Sequence, residues 1–446
     1  MMGQNEYGLY SLVASVITYL TVLDLGFGNA IVRYTAKFRA EGKINEQYDM
    51  FGMFLILYSI VGVITLLIGT GFYFNVDVLF DRAMTLEDLS KVRTMMLLMT
   101  VNLAFTFPMS VFGSIIVAYE DFVFQKLVNI TRIILNPLVM IAMLMLGYRA
   151  IGMTVITTLF NVVTLLVNCW YCFHKIHIRI YFGHFKWGFL KEVSIYSFWI
   201  FLNAIMDRIY WSSGQFILGM YKGAVAVAVY AVAIQLQGIY MSFSTAISGV
   251  FLPKVTAMVA KENNEKAIYD LFIRMGRIQY AIMAFILTGF ILFGKVFIYF
   301  WAGSDYDEAY YIALLFFIPL TIPLIQNLGI IILQARNQMR FRCVLYVVIA
   351  FVSLGISIPL ARLYGGIGCA LGTVFALVVG QIIAMNIYYH RRIHIDIVRF
   401  WKEIFRMSLV PILLGGVGYC FLNMITLTNA WELGLAILLF SLIYVP

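Results

Sequence analysis

Thirteen stretches of this 446-residue chain are apolar over about twenty residues each, with few charges inside them. A helix of about 20 apolar residues crosses the hydrocarbon core of a bilayer. The stretches run approximately over 8–32, 50–73, 93–118, 127–147, 151–173, 196–219, 224–251, 277–301, 309–334, 343–362, 367–389, 407–426 and 431–446. Hydrophobic residues make up 63% of the chain and charged ones 12%, where soluble domains average about 45–50% and about 25%. No segment is long and polar enough to fold as a separate soluble domain. The pattern predicts an all-α polytopic membrane protein.

Charge supplies the orientation. Of the 31 Lys and Arg residues, 22 fall in one alternating set of loops, 6 in the other and 3 within spans. The richer set includes Arg33, Lys37, Arg274, Arg277, Arg391 and Arg399 and is therefore cytoplasmic. The same bias accounts for the net charge of +9 without a nucleic-acid partner. It also puts residue 1 outside, unexpected for a chain with no helix before it. An internal repeat resolves this. Tyr10 matches Tyr230, Gly28 and Arg33 match Gly249 and Lys254, Ala118 and Phe124 match Ala335 and Phe341, and Ile151-Gly152 matches Ile367-Gly368. The lag stays near 216–221 throughout, and matching loops fall on one side of the membrane, so the repeats are parallel. The second repeat opens with the 196–219 span, whose counterpart would precede residue 1. The expected architecture is two six-helix lobes plus a C-terminal pair, about 14 helices in all, the first missing from this chain. The domains are residues 1–190, 191–390 and 391–446. Two basic, aromatic-rich stretches, 176–192 and 391–406, join these parts and suit the headgroup layer.

Enzyme signatures reduce to lookalikes. Gly289, Gly294 and Lys295 imitate a phosphate-binding loop, but Val296 stands where Ser or Thr belongs and the segment is apolar. Cys169, Cys172, His174 and His177 fit no common zinc spacing. The five cysteines lie in or beside apolar runs and read as small hydrophobes. Asp305 and Asp307 would serve a membrane glycosyltransferase, yet they sit in a short outer loop, and a solvated turn is the simpler reading. No metal and no cofactor is expected. The start, MMGQNEYGLY, has no basic region before an apolar core, so no cleavable signal peptide is expected.

The ionisable residues inside spans remain. A charge at the bilayer centre is costly and is normally turned toward a partner or a water-filled cavity. Asp24, Arg132, Asp207, Arg208 and Lys295 lie within spans, and Arg33 at a span's inner end. Within 196–219, Asn203, Asp207, Tyr210 and Gly214 share a helical stripe with Trp211 beside it. Such a stripe is either a structural ion pair between helices or the wall of a hydrophilic transport path. Cations outnumber acids four to two among these residues. A basic cavity suits an anionic substrate such as a phosphate or diphosphate, while the acids could take up H⁺ or Na⁺ and couple its flow to transport. Arg33 fits equally the end of its span, and Lys295 a side chain snorkelling to an interface. Asp24-Leu-Gly26-Phe-Gly28 loosens the first span, and Pro108, Pro137, Pro319, Pro323, Pro359 and Pro411 kink others.

The opening GQNEYGLYSLVASVITYLTVLDLGFGNAIVRYTAK resembles the start of bacterial polysaccharide-biosynthesis membrane proteins, the Wzx-type oligosaccharide flippases. ILQARNQMRFR and LYGGIGCALGT look like the matching segments of the second lobe. These belong to the multidrug, oligosaccharidyl-lipid and polysaccharide (MOP) exporter superfamily. The resemblance covers essentially the whole chain, and the family carries a first helix ahead of the opening motif. It implies a fourteen-helix, two-lobed transporter in the bacterial cytoplasmic membrane. The transporter would move an undecaprenyl-diphosphate-linked oligosaccharide to the outer leaflet, for capsule, O-antigen or another surface glycan. By likeness, Arg33, Arg132, Arg208 and Lys295 would form the basic cavity, with Asn203, Tyr210 and Trp211 beside it, and Asp24 and Asp207 would couple transport to H⁺ or Na⁺. Polysaccharide polymerase and chain-length machinery would be its partners. The rivals are a multidrug or small-molecule antiporter of the same superfamily, a peptidoglycan-precursor flippase and a membrane glycosyltransferase.

Overall fold

The computed structural model describes residues 3–81, 83–183, 187–249, 251, 255, 258, 265–336, 338–422 and 429–444. Arg82, Lys186, Lys254 and Lys261, counted for orientation, lie outside these residues, as does the side chain of Asn203. Most of the described residues are helical, and there is no strand among them. Among the described residues, ten helices are long and apolar enough to cross a membrane. The one spanning Arg340–Arg391 contains two of the expected spans, broken at Gly365 (φ 61°, ψ −134°). Trp187–Tyr221 and the shorter Ala430–Tyr444 account for the other two expected rods. The chain is a multi-pass, all-α membrane protein.

Packing divides it into two compact units, Met1–Ala228 and Val229–Pro446. The first contains α1 (Gln4–Leu20), α2 (Phe27–Ala40), α3 (Ile44–Phe74), the short α4 (Val76–Phe80), α5 (Leu86–Ala118), α6 (Phe122–Met145), α7 (Ala150–His174) and α8 (Trp187–Tyr221). α9 (Ala224–Gly249) begins there and leads into the second unit. That unit continues with α10 (Glu265–Trp301), α11 (Asp307–Ile325), α12 (Asn327–Ala335), α13 (Arg340–Ala376), a π-helical turn Leu377–Ala384, α14 (Met385–Arg391), α15 (Ile397–Leu422) and α16 (Ala430–Tyr444). The packing division lies one helix beyond the boundary at 190/191 expected from the sequence repeat. α8, expected to open the second repeat, packs on α1, α2 and α4. There Phe216 meets Phe80 edge-on at 5.9 Å, and Gly219 leaves no room for a Cβ beside Leu12.

Lipid tails are as apolar as leucine, so helices in a bilayer associate through close packing and polar contacts. α3 and α5 show this. A Cβ on Gly62 would lie 2.7 Å from the Ala104 carbonyl oxygen, and one turn pair later Gly69 faces Thr100. Gly62→Ala is expected to pry this pair apart at a cost of about 1–3 kcal/mol. Thermal unfolding of detergent-purified protein reads that loss, and an unchanged Tm would show that the helices have room to spare. By contrast, α6 buries none of its residues and exposes Ile130, Ile133, Ile134 and Leu138, a lipid-facing surface.

The two connecting stretches tuck into the protein instead of lying free. Residues 175–183 are irregular; Ile178 is buried, and the Tyr181 amide donates to the Tyr48 carbonyl at 3.3 Å. After His394, Ile395, Ile397, Phe400 and Ile404 are buried, with Phe400 5.1 Å from the Phe272 ring of α10. Other apolar side chains of the same stretches, Phe182, Val398 and Phe405, stay exposed, as the headgroup layer would require. All five cysteines are free.

Candidate transport cavity

The first span does not run straight. After α1 the chain makes one 3₁₀ turn, Thr21–Asp24, then passes through Leu25 (φ 52°) and Gly26 (φ 73°) before α2 begins at Phe27. Left-handed backbone is natural for Gly26 and costs energy at Leu25. Such a break at membrane depth is tolerated where the freed groups are buried in protein or line a cavity. Here both conditions hold. Tyr58 of α3, fully buried, donates its hydroxyl to Asp24 Oδ1 at 2.7 Å. Phe107 stacks on the Tyr58 ring at 6.2 Å, and Phe27 meets it edge-on at 5.9 Å. Gly28 fits beside this cluster, since a Cβ there would come within 3.2 Å of Ser114 Oγ.

On the other side of Asp24 lies a cavity of about 370 Å³. Thr21, Asp24, Asn29, Ser110, Phe201 and Arg208 are among its lining residues. The break in the first span and the charged part of α8 therefore meet in one site. A second cavity of about 280 Å³ holds Arg132 of α6 with Asn102, Asn161, Thr157 and Thr158. Leu103 and Thr106 line both. The wall between them is ordered: Asn161 Nδ2 donates to Asn102 Oδ1 at 2.9 Å and to Thr106 Oγ1 at 2.8 Å. The buried Thr158 hydroxyl oxygen has no hydrogen-bond partner among the described residues. Among those residues neither Arg132 nor Arg208 makes an ion pair, so both guanidinium groups keep their donor forks available to a guest. Two arginines and one carboxylate among amides and hydroxyls make a polar, net-basic cleft inside an apolar unit.

The expected site residues divide accordingly. Asp24, Arg132 and Arg208 line these adjoining cavities. Asp207 is exposed and lines neither, while Tyr210 is buried with its ring 6.1 Å from that of Trp211. The stripe expected on α8 thus splits between environments, and it is Arg208, one residue on, that faces the cavity with Asp24. Arg33 is exposed at 5.8 Å from the Tyr34 ring centroid. Lys295, in the second unit, stands 3.6 Å from Asp307, each about half exposed. The side chain of Asn203 is outside the described residues. Tyr58, Ser110, Asn102, Thr106 and Asn161 escaped the sequence reading because they are neutral. Asn102 and Asn161 were the available signal, each an amide in the middle of an apolar run.

Helices in two compact units, with a broken helix beside the polar cavities of the first, make a fold shared with solved membrane transporters. The chain aligns with the lipid II flippase MurJ in an inward closed conformation over 99% of its length and 96% of that chain (TM-score 0.70, 15% identity). An inward-facing multidrug resistance MATE family transporter of the MOP superfamily is similar over 86% and 94% of the two chains (TM-score 0.65, 19% identity). A MOP superfamily transporter from Pyrococcus furiosus, described by a reversed polarity of its binding pocket, is similar over 86% and 88% (TM-score 0.59, 17% identity). No curated protein sequence matches the chain. Residues 1–259 match the polysaccharide biosynthesis protein family, more than half the chain, and the protein belongs to that family.

Proposed function

We propose that this protein is a flippase that carries undecaprenyl-diphosphate-linked oligosaccharide repeat units from the cytoplasmic to the outer leaflet by alternating access. The family membership supplies the biosynthetic setting. The observation that carries the reading is the cleft of the first unit, where Arg132 and Arg208 stand in adjoining polar cavities. Guanidinium forks match diphosphate oxygens bidentately, and amides and hydroxyls such as Asn102, Asn161 and Thr158 match sugar hydroxyls. The fold is shared with a lipid II flippase, whose cargo is likewise lipid-linked. Asp24 is assigned to uptake of H⁺ or Na⁺. The protein belongs, in this reading, to the bacterial cytoplasmic membrane and works beside polymerase and chain-length machinery for a capsule or O-antigen.

Deleting the gene is expected to accumulate one lipid-linked oligosaccharide that remains accessible from the cytoplasmic side. Wild-type protein should relieve the accumulation. Arg208→Ala should not, because one charge-assisted contact is worth about 1.5–3 kcal/mol, roughly 10- to 150-fold in binding. Unchanged lipid-linked glycans together with raised drug sensitivity would overturn the reading in favour of multidrug export.

A further inference from the structure

In the second unit a groove of about 590 Å³ runs between α10 and α15. Its charged end carries Arg274, Arg277 and Arg399 with Asp270. Arg399 Nη1 lies 3.1 Å from Asp270 Oδ1, and Arg277 Nη1 lies 3.5 Å from Glu403 Oε2. Glu403 is shared, since Arg406 Nη1 lies 3.8 Å from its other oxygen. Among the described residues Arg274 has no ion pair. Four arginines against two carboxylates leave the charged end with an excess of two positive charges.

The groove changes character along its length. Arg274, Arg277, Ile278 and Ala281 follow at helical spacing on one face of α10, so cations give way to apolar side chains within two turns. Met407 closes the apolar end from α15, just where that helix leaves its basic segment. The arginines belong to the loops that hold 22 of the 31 basic residues, the cytoplasmic set. The site therefore has guanidinium groups at headgroup level and an apolar wall continuing toward the bilayer centre.

We propose that this groove holds an anionic phospholipid of the cytoplasmic leaflet, its phosphate on Arg274 and Arg277 and the root of an acyl chain on Ile278, Ala281 and Met407. Arginine forks grip phosphate oxygens bidentately, and basic pockets between transmembrane helices on this side suit such headgroups. The apolar wall distinguishes a lipid from a free anion of the same charge. The site is separate from the cleft of the first unit and does not depend on which cargo that cleft carries.

The test uses the full chain in mild detergent with three probes: dioleoyl phosphatidylglycerol, dioleoyl phosphatidylcholine and sodium phosphate. Native mass spectrometry counts retained lipid, and thermal unfolding records stabilisation. Phosphatidylglycerol is expected to be retained in preference to phosphatidylcholine. Arg274→Gln should weaken that retention roughly fivefold and R274Q/R277Q roughly 25-fold, at about a fivefold loss per surface arginine. Arg392→Gln, an exposed arginine outside the groove, should leave it unchanged. Arg274→Gln breaks no ion pair among the described residues, so it remains informative if the double variant misfolds. Equal retention of the two lipids, indifference to Arg274→Gln, or equal weakening by Arg392→Gln would overturn the proposal. So would equal stabilisation by sodium phosphate, which would make the groove a free-anion site.

Discussion

Replacing Lys91 with methionine should destabilise the protein by about 3 kcal/mol, a large effect for one side chain. The reason lies at Glu6, near the start of α1, which is only 4% exposed. Lys91 Nζ is 2.7 Å from Glu6 Oε1, while Arg149 stands at 3.9 Å and the Ala150 amide donates to Oε2 at 3.2 Å. One carboxylate thus ties α1 to α5 and to the beginning of α7. Removing one member of a buried pair strands the other charge at about 3–5 kcal/mol. The lower end applies because the Ala150 amide and Arg149 remain. The double variant Glu6→Leu with Lys91→Met should recover only part of the loss, since the stranded charge is gone but the buried Ala150 amide loses its acceptor. Thermal unfolding of the three variants in detergent decides it. A double variant no better than Lys91→Met alone would show that a stranded Glu6 charge is not the cause of the loss; Glu87, also 2.7 Å from Lys91, is 79% exposed and stabilises little.

The fold was legible because bilayer length acts on every segment alike. Twenty apolar residues make a span wherever they occur, and the thirteen expected rods correspond to the observed helices. The break at Leu25–Gly26 was equally visible, since Asp24 and two glycines interrupt an apolar run. Legibility fell where partners decide. Helical spacing grouped Asp207 with Tyr210 but could not tell which neighbouring helix each would meet. Arg208 faces the Asp24 cavity because α8 packs on α1 and α2, a tertiary choice absent from the spacing. Tyr58 shows the same limit. Nothing in YSIVGVITL marks that hydroxyl as the partner of an acid 34 residues earlier. Nor does MMGQNEYGLY mark Glu6 for burial; the fold places it beside Lys91.

Asp24→Asn should leave the protein folded and lower translocation about tenfold or more. The two side chains have the same shape, and an asparagine Oδ1 still accepts the Tyr58 hydroxyl, so the break after α1 keeps its anchor. The charge is lost, and with it the group assigned to H⁺ or Na⁺ in the cavity shared with Arg208. One charge-assisted contact of about 1.5–3 kcal/mol sets the scale, each 1.4 kcal/mol being about tenfold. Tyr58→Phe separates the two roles of the carboxylate. It keeps the charge and removes the anchor, so thermal stability should fall while translocation, measured on folded protein, falls less than in Asp24→Asn. Asp207→Asn should do least, since Asp207 is exposed and lines neither cavity. The measurement is restoration of surface glycan and clearance of the accumulated lipid-linked oligosaccharide in the deletion strain, at matched membrane levels of each variant. Full activity of Asp24→Asn would reduce Asp24 to an anchor for the broken helix and leave the coupling role without a residue in this cleft. Loss in Asp24→Asn with recovery in Asp24→Glu would place the requirement on the negative charge itself.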